Sequence, residues 1–457
     1  MKHNFQFRIY VTLLAVTILI TMFPLMGISV GASTIGITSE GLKYRIENDE
    51  VSITGCANYI SDINIPDKIE GYPVTKISDS AFYKCQSKSV VIPSSVRRIG
   101  DHAFASSTML KSVIIPEGVS YIGPSAFYYC VGLESIVIPT SVQSIGDEAF
   151  KYCQNLASVY FYSSSAEVGS WAFQYCDNLS GVYIDDINSW CSITFYNGDS
   201  NPLSYAKNLY IDKVLVKEVV IPVEVSIIKE YTFRSCENIT SIVVSEGISS
   251  IGHMAFTGCI NLENVVLPES LTHIGFWAFS GCSSLLTVKI PLGVTTIGNY
   301  TFSNCTKLSN IDIPNSIMNI NPGAFDDCKS LDSIYVPKSL TEIGIDAFSG
   351  CINLATVYYE GTETEWNSIS IGDRNHCLTS ANIVFESIMP STIIGDINDD
   401  GVVNAKDVNA LMRVIACAEL IEEESDVFKV ADLTKDGTLN AKDANLLKRV
   451  IAGDLQF

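Results

Sequence analysis

Apolar positions along the chain follow one pattern that recurs with a fixed period. Pro139 to Phe161, P-T-S-V-Q-S-I-G-D-E-A-F-K-Y-C-Q-N-L-A-S-V-Y-F, is one complete copy and so shows the length of the period. The phenylalanine of its A-F pair, or of a T-F pair, falls at Phe104, Phe127, Phe150 and Phe173, then at Phe233, Phe256, Phe279, Phe302, Phe325 and Phe348. Every step inside each run is the same, and Phe82 leads the series one position out of step. A fixed period in this range marks a solenoid, because one unit cannot bury its apolar side alone and stacked units share a continuous core. Within the unit, L-x-x-I-x-I-P (Leu133, Ile136, Ile138, Pro139) alternates and predicts a short strand that proline ends. V-x-x-I-G (Val142, Ile145, Gly146) predicts a second short extended piece with a glycine corner. A-F-x-x-C-x-x-L (Ala149, Phe150, Cys153, Leu156) has the spacing of a single helical or 3₁₀ turn facing inward. The expected fold is an α/β-type repeat solenoid of short parallel strands joined by helical or 3₁₀ turns.

The ends and the one break in the array read differently. Leu42, Tyr44 and Ile46 alternate, then Val51 and Ile53, around the polar Glu47-Asn48-Asp49, which predicts a β-hairpin capping the first rung. Pro139 and Pro222 are separated by three whole periods and more than half of another, so degenerate rungs and a short insertion lie between Phe173 and Phe233. Trp190 in the insertion and Trp366 near the end of the array are expected to cover the edge of the core, with a ligand-facing role as the alternative.

Ten of the fourteen cysteines sit three positions after a repeat phenylalanine, from Cys85 and Cys130 through to Cys351. Only the Phe104 unit departs, with Ser107. One phase of a solenoid is one structural slot, and cysteine is a small residue that buries well. The expectation is a ladder of buried thiols; disulfides between neighbouring rungs are the alternative.

Leu133, Ile136, Ile138, Pro139, Val142, Ile145, Gly146, Ala149, Phe150 and Cys153 together resemble the leucine-rich repeat of the BspA type. The resemblance covers roughly residues 36–386, with the hairpin as its amino-terminal cap. It implies a bacterial surface or secreted protein.

Behind the array the pattern changes to D-I-N-D-D-G-V-V-N-A-K-D, from Asp396, and D-L-T-K-D-G-T-L-N-A-K-D, from Asp432, two matching twelve-residue loops. Calcium takes six to eight oxygen ligands in a flexible shell. Asp396, Asn398, Asp400, Asn404 and Asp407 supply them in the first loop, with the carbonyl of Val402 and with Gly401 at the sharp turn. Asp432, Thr434, Asp436, Asn440, Asp443 and the carbonyl of Thr438 do so in the second, giving two expected calcium ions. A pair of polar turns that bind nothing is the bland alternative. Each loop leads into an apolar-periodic helix, and acidic residues outnumber basic ones from Asp396 to Asp454, so bound calcium relieves self-repulsion and couples to folding.

These loops resemble the type I dockerin, a small all-α calcium-binding module, over residues 393–457, with 387–392 as linker. The resemblance implies calcium-dependent docking onto a cohesin of a scaffoldin, in a cellulosome-type, polysaccharide-degrading context. It places the cohesin contacts at Ala405, Lys406, Met412 and Arg413 and at Ala441, Lys442, Lys448 and Arg449. The repeated Ala-Lys pair implies near two-fold symmetry, although the best-known clostridial dockerins carry hydroxyl residues there.

Composition narrows the function. A formal net charge of −21 argues against nucleic acid and anionic membrane surfaces as partners. Residues 1–32, with Lys2, His3 and Arg8 before an apolar run, read as a signal peptide cleaved near Ala32; an uncleaved anchor is the alternative. No other stretch is apolar and long enough to span a membrane, so after cleavage the protein is expected outside the cell and free of the bilayer. No nucleophile elbow, phosphate loop, zinc spacing or repeat-aligned acid pair is present, and the chain is read as no enzyme. Its repeat array is expected to bind a protein or glycan, through outward strand residues among which Tyr160, Tyr183, Tyr335 and Tyr358 stand out. A structural or spacer role for the array and a surface adhesin that meets a host are the alternatives, and a polysaccharide hydrolase a weaker one.

Overall fold

The computed structural model describes residues 33–56 and 60–387. The segment 1–32 and both twelve-residue loops lie outside the described residues.

The expected solenoid is present, and each rung has three sides. On the first, Ser135–Ile138 pairs in parallel with Ser158–Phe161, residue for residue at the repeat spacing (Ile136 opposite Val159, Val137 opposite Tyr160). Ile136 and Ile138 are buried and Val137 is exposed, so the period-two pattern sets the inward face. On the second side, Ser144–Ile145 lies between Tyr121–Ile122 and Glu167–Val168, again parallel. The glycine after each of these strands lets one rung approach the next. A Cβ on Gly275 would stand 2.6 Å from the amide nitrogen of His253, closer than any side chain tolerates.

The third side, carrying A-F-x-x-C, is made of turns rather than helix. Alternate amides take different partners: Ala126, Tyr128 and Cys130 donate back three positions to Gly123, Ser125 and Phe127. Ser125, Phe127 and Tyr129 donate instead to Asp147, Ala149 and Lys151 of the next rung, at 2.7–2.8 Å. The inward bonds are those of a 3₁₀ turn, while the others form a third rung-to-rung ladder. To alternate in this way, the residues two before and two after the phenylalanine adopt left-handed backbone, as Ser125 (φ 53°) and Tyr129 (φ 58°) do.

Two stacks run through the core. Phe82, Phe104, Phe127, Phe150 and Phe173 lie face to face at 5.1–5.2 Å, and Phe233 to Phe348 repeat the arrangement at 5.2–5.7 Å. Beside them runs the thiol ladder, and every described cysteine is free. The Sγ of Cys130 donates to the carbonyl of Phe104 one rung back (3.1 Å), and Cys153, Cys176, Cys259, Cys282, Cys305, Cys328 and Cys351 do the same at 3.1–3.3 Å. Ser107, the one departure, donates its Oγ to Phe82 O at 2.9 Å, so the slot needs a small side chain with a donor.

Burial pushes the Cys130 thiol up to about 12, so the ladder is protonated. At pH 8 a thiol reagent is expected to modify these cysteines slowly in the folded chain and all of them in denaturant. Near-zero free thiol in denaturant would mean disulfides between rungs. A thiol raised from 9.0 to about 12 adds stability that is complete below pH 9 and is lost as pH rises through that window.

Both ends and the break are closed by local devices. Leu42–Glu47 and Glu50–Cys56 form an antiparallel hairpin whose second strand pairs in parallel with Tyr72–Ile77 of the first rung. In the break, Trp190 is buried and its indole donates to Thr232 O at 2.8 Å. Asn201, also buried, donates to Tyr231 O and to Thr232 O, the second of these being the carbonyl that a phenylalanine amide of the preceding rung reaches in a regular stack. Asn375 does the same at the carboxy-terminal end, accepting from Phe348 N and donating to Gly344 O. Trp366 is buried edge-on against Tyr359. Both tryptophans therefore cover the core.

Candidate functional site

The outward residues of the first strand side form the candidate surface. Parallel pairing in register brings Tyr160 opposite Tyr183 and Tyr335 opposite Tyr358. Each pair stacks at 4.7 Å between ring centres, with planes 16–18° apart. The separation follows from the strand spacing itself: like residues at one phase must lie side by side. The four tyrosines fall into two separate stacks, one that runs into the break and one beyond it.

A fifth member was not found from the repeat. Tyr210 lies opposite Tyr183 and stacks on it at 4.7 Å. The insertion displaces it from the regular phase, so counting in whole periods from Tyr183 misses it. Aligning N-L-Y-I at 208–211 with G-V-Y-I at 181–184 would have revealed it. Gly181 makes room for the stack, because a Cβ there would meet the rings of Tyr183 and Tyr210 at 3.0 Å.

The second stack borders a groove of about 340 Å³ whose lining includes Tyr335, Tyr358, Lys289, Asp312, Glu269 and Glu360. Burial, then the neighbouring Tyr358, raises the Tyr335 phenol above its usual value, so its hydroxyl is a protonated donor. Since stacked rings cover one another's faces, the groove offers phenol edges and hydroxyls beside three carboxylates and one ammonium. That suits a partner rich in hydroxyls and amides better than a purely apolar one. Among the described residues, no group of three or more His, Cys, Asp or Glu is placed to hold a metal ion. No helix among them is long and apolar enough to cross a membrane.

The model of the BspA type leucine-rich repeat region matches in six copies, over residues 75–201, 206–291 and 249–376, which is more than half of the chain. The chain belongs to this family. Residues 394–452 match the dockerin type I domain, so a BspA-type solenoid is followed by a dockerin. Type I dockerins bind calcium and dock onto cohesins, and both modules are non-catalytic binding modules. The loop residues Asp396 to Asp443 and the docking positions Ala405 to Arg449 lie outside the described residues.

Several solved structures are similar to the chain at low identity. A leucine-rich repeat protein from Eubacterium ventriosum is 21% identical, covers 70% of this chain and 95% of its own, and gives a TM-score of 0.42. The pneumococcal vaccine antigen PcpA is 19% identical over 78% of this chain and 99% of its own, with a TM-score of 0.41. The T. pallidum leucine-rich repeat protein is 28% identical over 55% of this chain and 87% of its own, with a TM-score of 0.31. No curated protein matches the chain.

Proposed function

We propose that this protein is an exported, non-catalytic binding subunit that a dockerin attaches to a cohesin-bearing scaffoldin. In this reading a signal peptide, residues 1–32, is removed. Residues 36–386 then present the binding surface, 387–392 form a linker and 393–457 form the dockerin. Two calcium ions occupy the loops, one on Asp396, Asn398, Asp400, Val402, Asn404 and Asp407, the other on Asp432, Thr434, Asp436, Thr438, Asn440 and Asp443. Lys406 with Arg413, and Lys442 with Arg449, offer two alternative cationic docking faces. The strand-face tyrosines Tyr160, Tyr183, Tyr335 and Tyr358 contact a protein or glycan.

The observation that carries this reading is the dockerin match at 394–452 on the same chain as a BspA-type leucine-rich repeat array. Such an array offers an assembly an extended surface, and a dockerin decides where that surface is held. The test is capture of the full chain on immobilised cohesin, in calcium and in chelator. Capture in calcium that chelator abolishes is expected. Capture indifferent to chelator, or release of sugar from plant polysaccharides by the calcium-loaded chain, would overturn the reading. In the same experiment, Tyr335→Ala combined with Tyr358→Ala is expected to weaken retention of a solenoid ligand by about tenfold while leaving cohesin capture intact.

A further inference from the structure

The break in the array does more than interrupt it. On the turn side, the Gly198–Ser200 3₁₀ turn takes the place of an A-F segment. Phe173 N–H donates to Asp199 O, as Phe150 N–H donates to Ala172 O one rung earlier. That equivalence puts Gly198 in the slot two positions before the missing phenylalanine. In the rung before, the slot holds Trp171, and in the rung after it holds Tyr231. Where aromatic residues fill this slot on adjacent rungs they close on each other, as Trp277 and Tyr300 do at 5.0 Å. Trp171 and Tyr231 are two rungs apart, and the slot between them carries no side chain.

Stacked rungs stand about 4.8 Å apart, so the gap at Gly198 has the width of one further flat ring. It is open as a notch of about 220 Å³ lined by Trp171, Asn197, Asp199, Tyr231, Arg234 and Met254. Its floor is Arg234. A Cβ on Gly198 would meet the guanidinium at 2.7–2.9 Å, so the glycine is what lets Arg234 lie there. Arg234 Nη1 donates to Ser204 Oγ at 2.9 Å, which holds the guanidinium in the lining of the notch. Asp199 lines the same notch, held by Gln174 and Tyr205, with acceptor capacity to spare.

The slot's backbone adds to the argument. Trp171 has φ 59° and Tyr231 φ 62°, conformations that bulky residues disfavour. Gly323, Ser125 and Asp346 fill the equivalent place elsewhere, so the fold does not require an aromatic side chain there. Trp171 is nonetheless 45% exposed.

We infer that this notch binds one uncharged, hydroxyl-bearing sugar ring of a polysaccharide, sandwiched between Trp171 and Tyr231. Its hydroxyls accept from the exposed guanidinium nitrogens of Arg234 and donate to Asp199. One cation and one carboxylate side by side suit hydroxyl groups, which both donate and accept, whereas a sugar carboxylate would face Asp199. The site uses none of the strand-face tyrosines and stands apart from the docking reading.

The test titrates the full chain, in calcium, with cellohexaose, mannohexaose, xylohexaose and a galacturonate hexamer, read by tryptophan fluorescence and calorimetry. At least one neutral oligosaccharide is expected to bind. Trp171→Ala and Arg234→Met should each weaken that binding by about tenfold or more, and Trp171→Phe should recover most of it. Circular dichroism checks folding, which exposed Trp171 does not govern. Binding that also survives Tyr335→Ala with Tyr358→Ala places the sugar in the notch rather than the strand-face groove. Binding of the galacturonate hexamer alone, of none of the four, or with no response to Trp171→Ala would overturn the proposal.

Discussion

Phe256→Ala is expected to destabilise the solenoid by about 3–5 kcal/mol, the usual loss for a large core side chain. Phe256 is fully buried, with Phe233 at 5.5 Å on one face and Phe279 at 5.3 Å on the other. Removing it takes away two stacking contacts and leaves a void that the neighbours cannot fill. Their backbones are held by three rung-to-rung ladders. In a quasi-one-dimensional array each rung touches only its neighbours, so a weak central rung also divides the array. Denaturant unfolding should become broader, with early opening near residue 256. Cys259→Ser, by contrast, keeps a donor for Phe233 O, as Ser107 does for Phe82 O, and should cost much less. A loss below about 1 kcal/mol for Phe256→Ala would show that the neighbouring rungs collapse into the space.

That contrast shows what was readable in advance. Phe, Cys, Val and Ile recur at one phase each because burial is set by phase, so the core was legible from spacing alone. The third side was not. The spacing of Ala149, Phe150, Cys153 and Leu156 is that of a helical turn, and only the next rung decides otherwise. Phe127 N–H bonds to Ala149 O on the following rung, a partner that no local pattern announces. Tyr210 and Gly198 were hidden for a related reason. Both sit where the insertion shifts the phase, and their importance lies in what stands one rung to either side. Trp190 and Trp366 read as edge cover because such aromatic residues more often close the edge of a core than face a ligand, and they are buried there. Isolated aromatic residues near a break are thus weak pointers to ligand.

Replacing Asp396 and Asp432 together by alanine is expected to abolish cohesin capture, a loss of more than about 100-fold. Even partners outside the first coordination sphere change metal affinity by about 10–100-fold, and these carboxylates open each proposed ligand set. The solenoid should be untouched, since its own core closes with Asn375 and Trp366 before residue 387. Melting followed by solenoid signals should therefore be the same in the variant and the parent. The single variants should differ from each other. The first loop offers Asn398 where the second offers Thr434, and a hydroxyl is a poorer calcium ligand than an amide carbonyl. Under chelator the loop at 432–443 should empty first, and Asp396→Ala should impair capture more than Asp432→Ala. Equal losses would mean that the Thr434 site is completed by water as firmly as the first is by Asn398. A double variant that still binds cohesin in chelator would show that the acidic loops do not carry the docking at all.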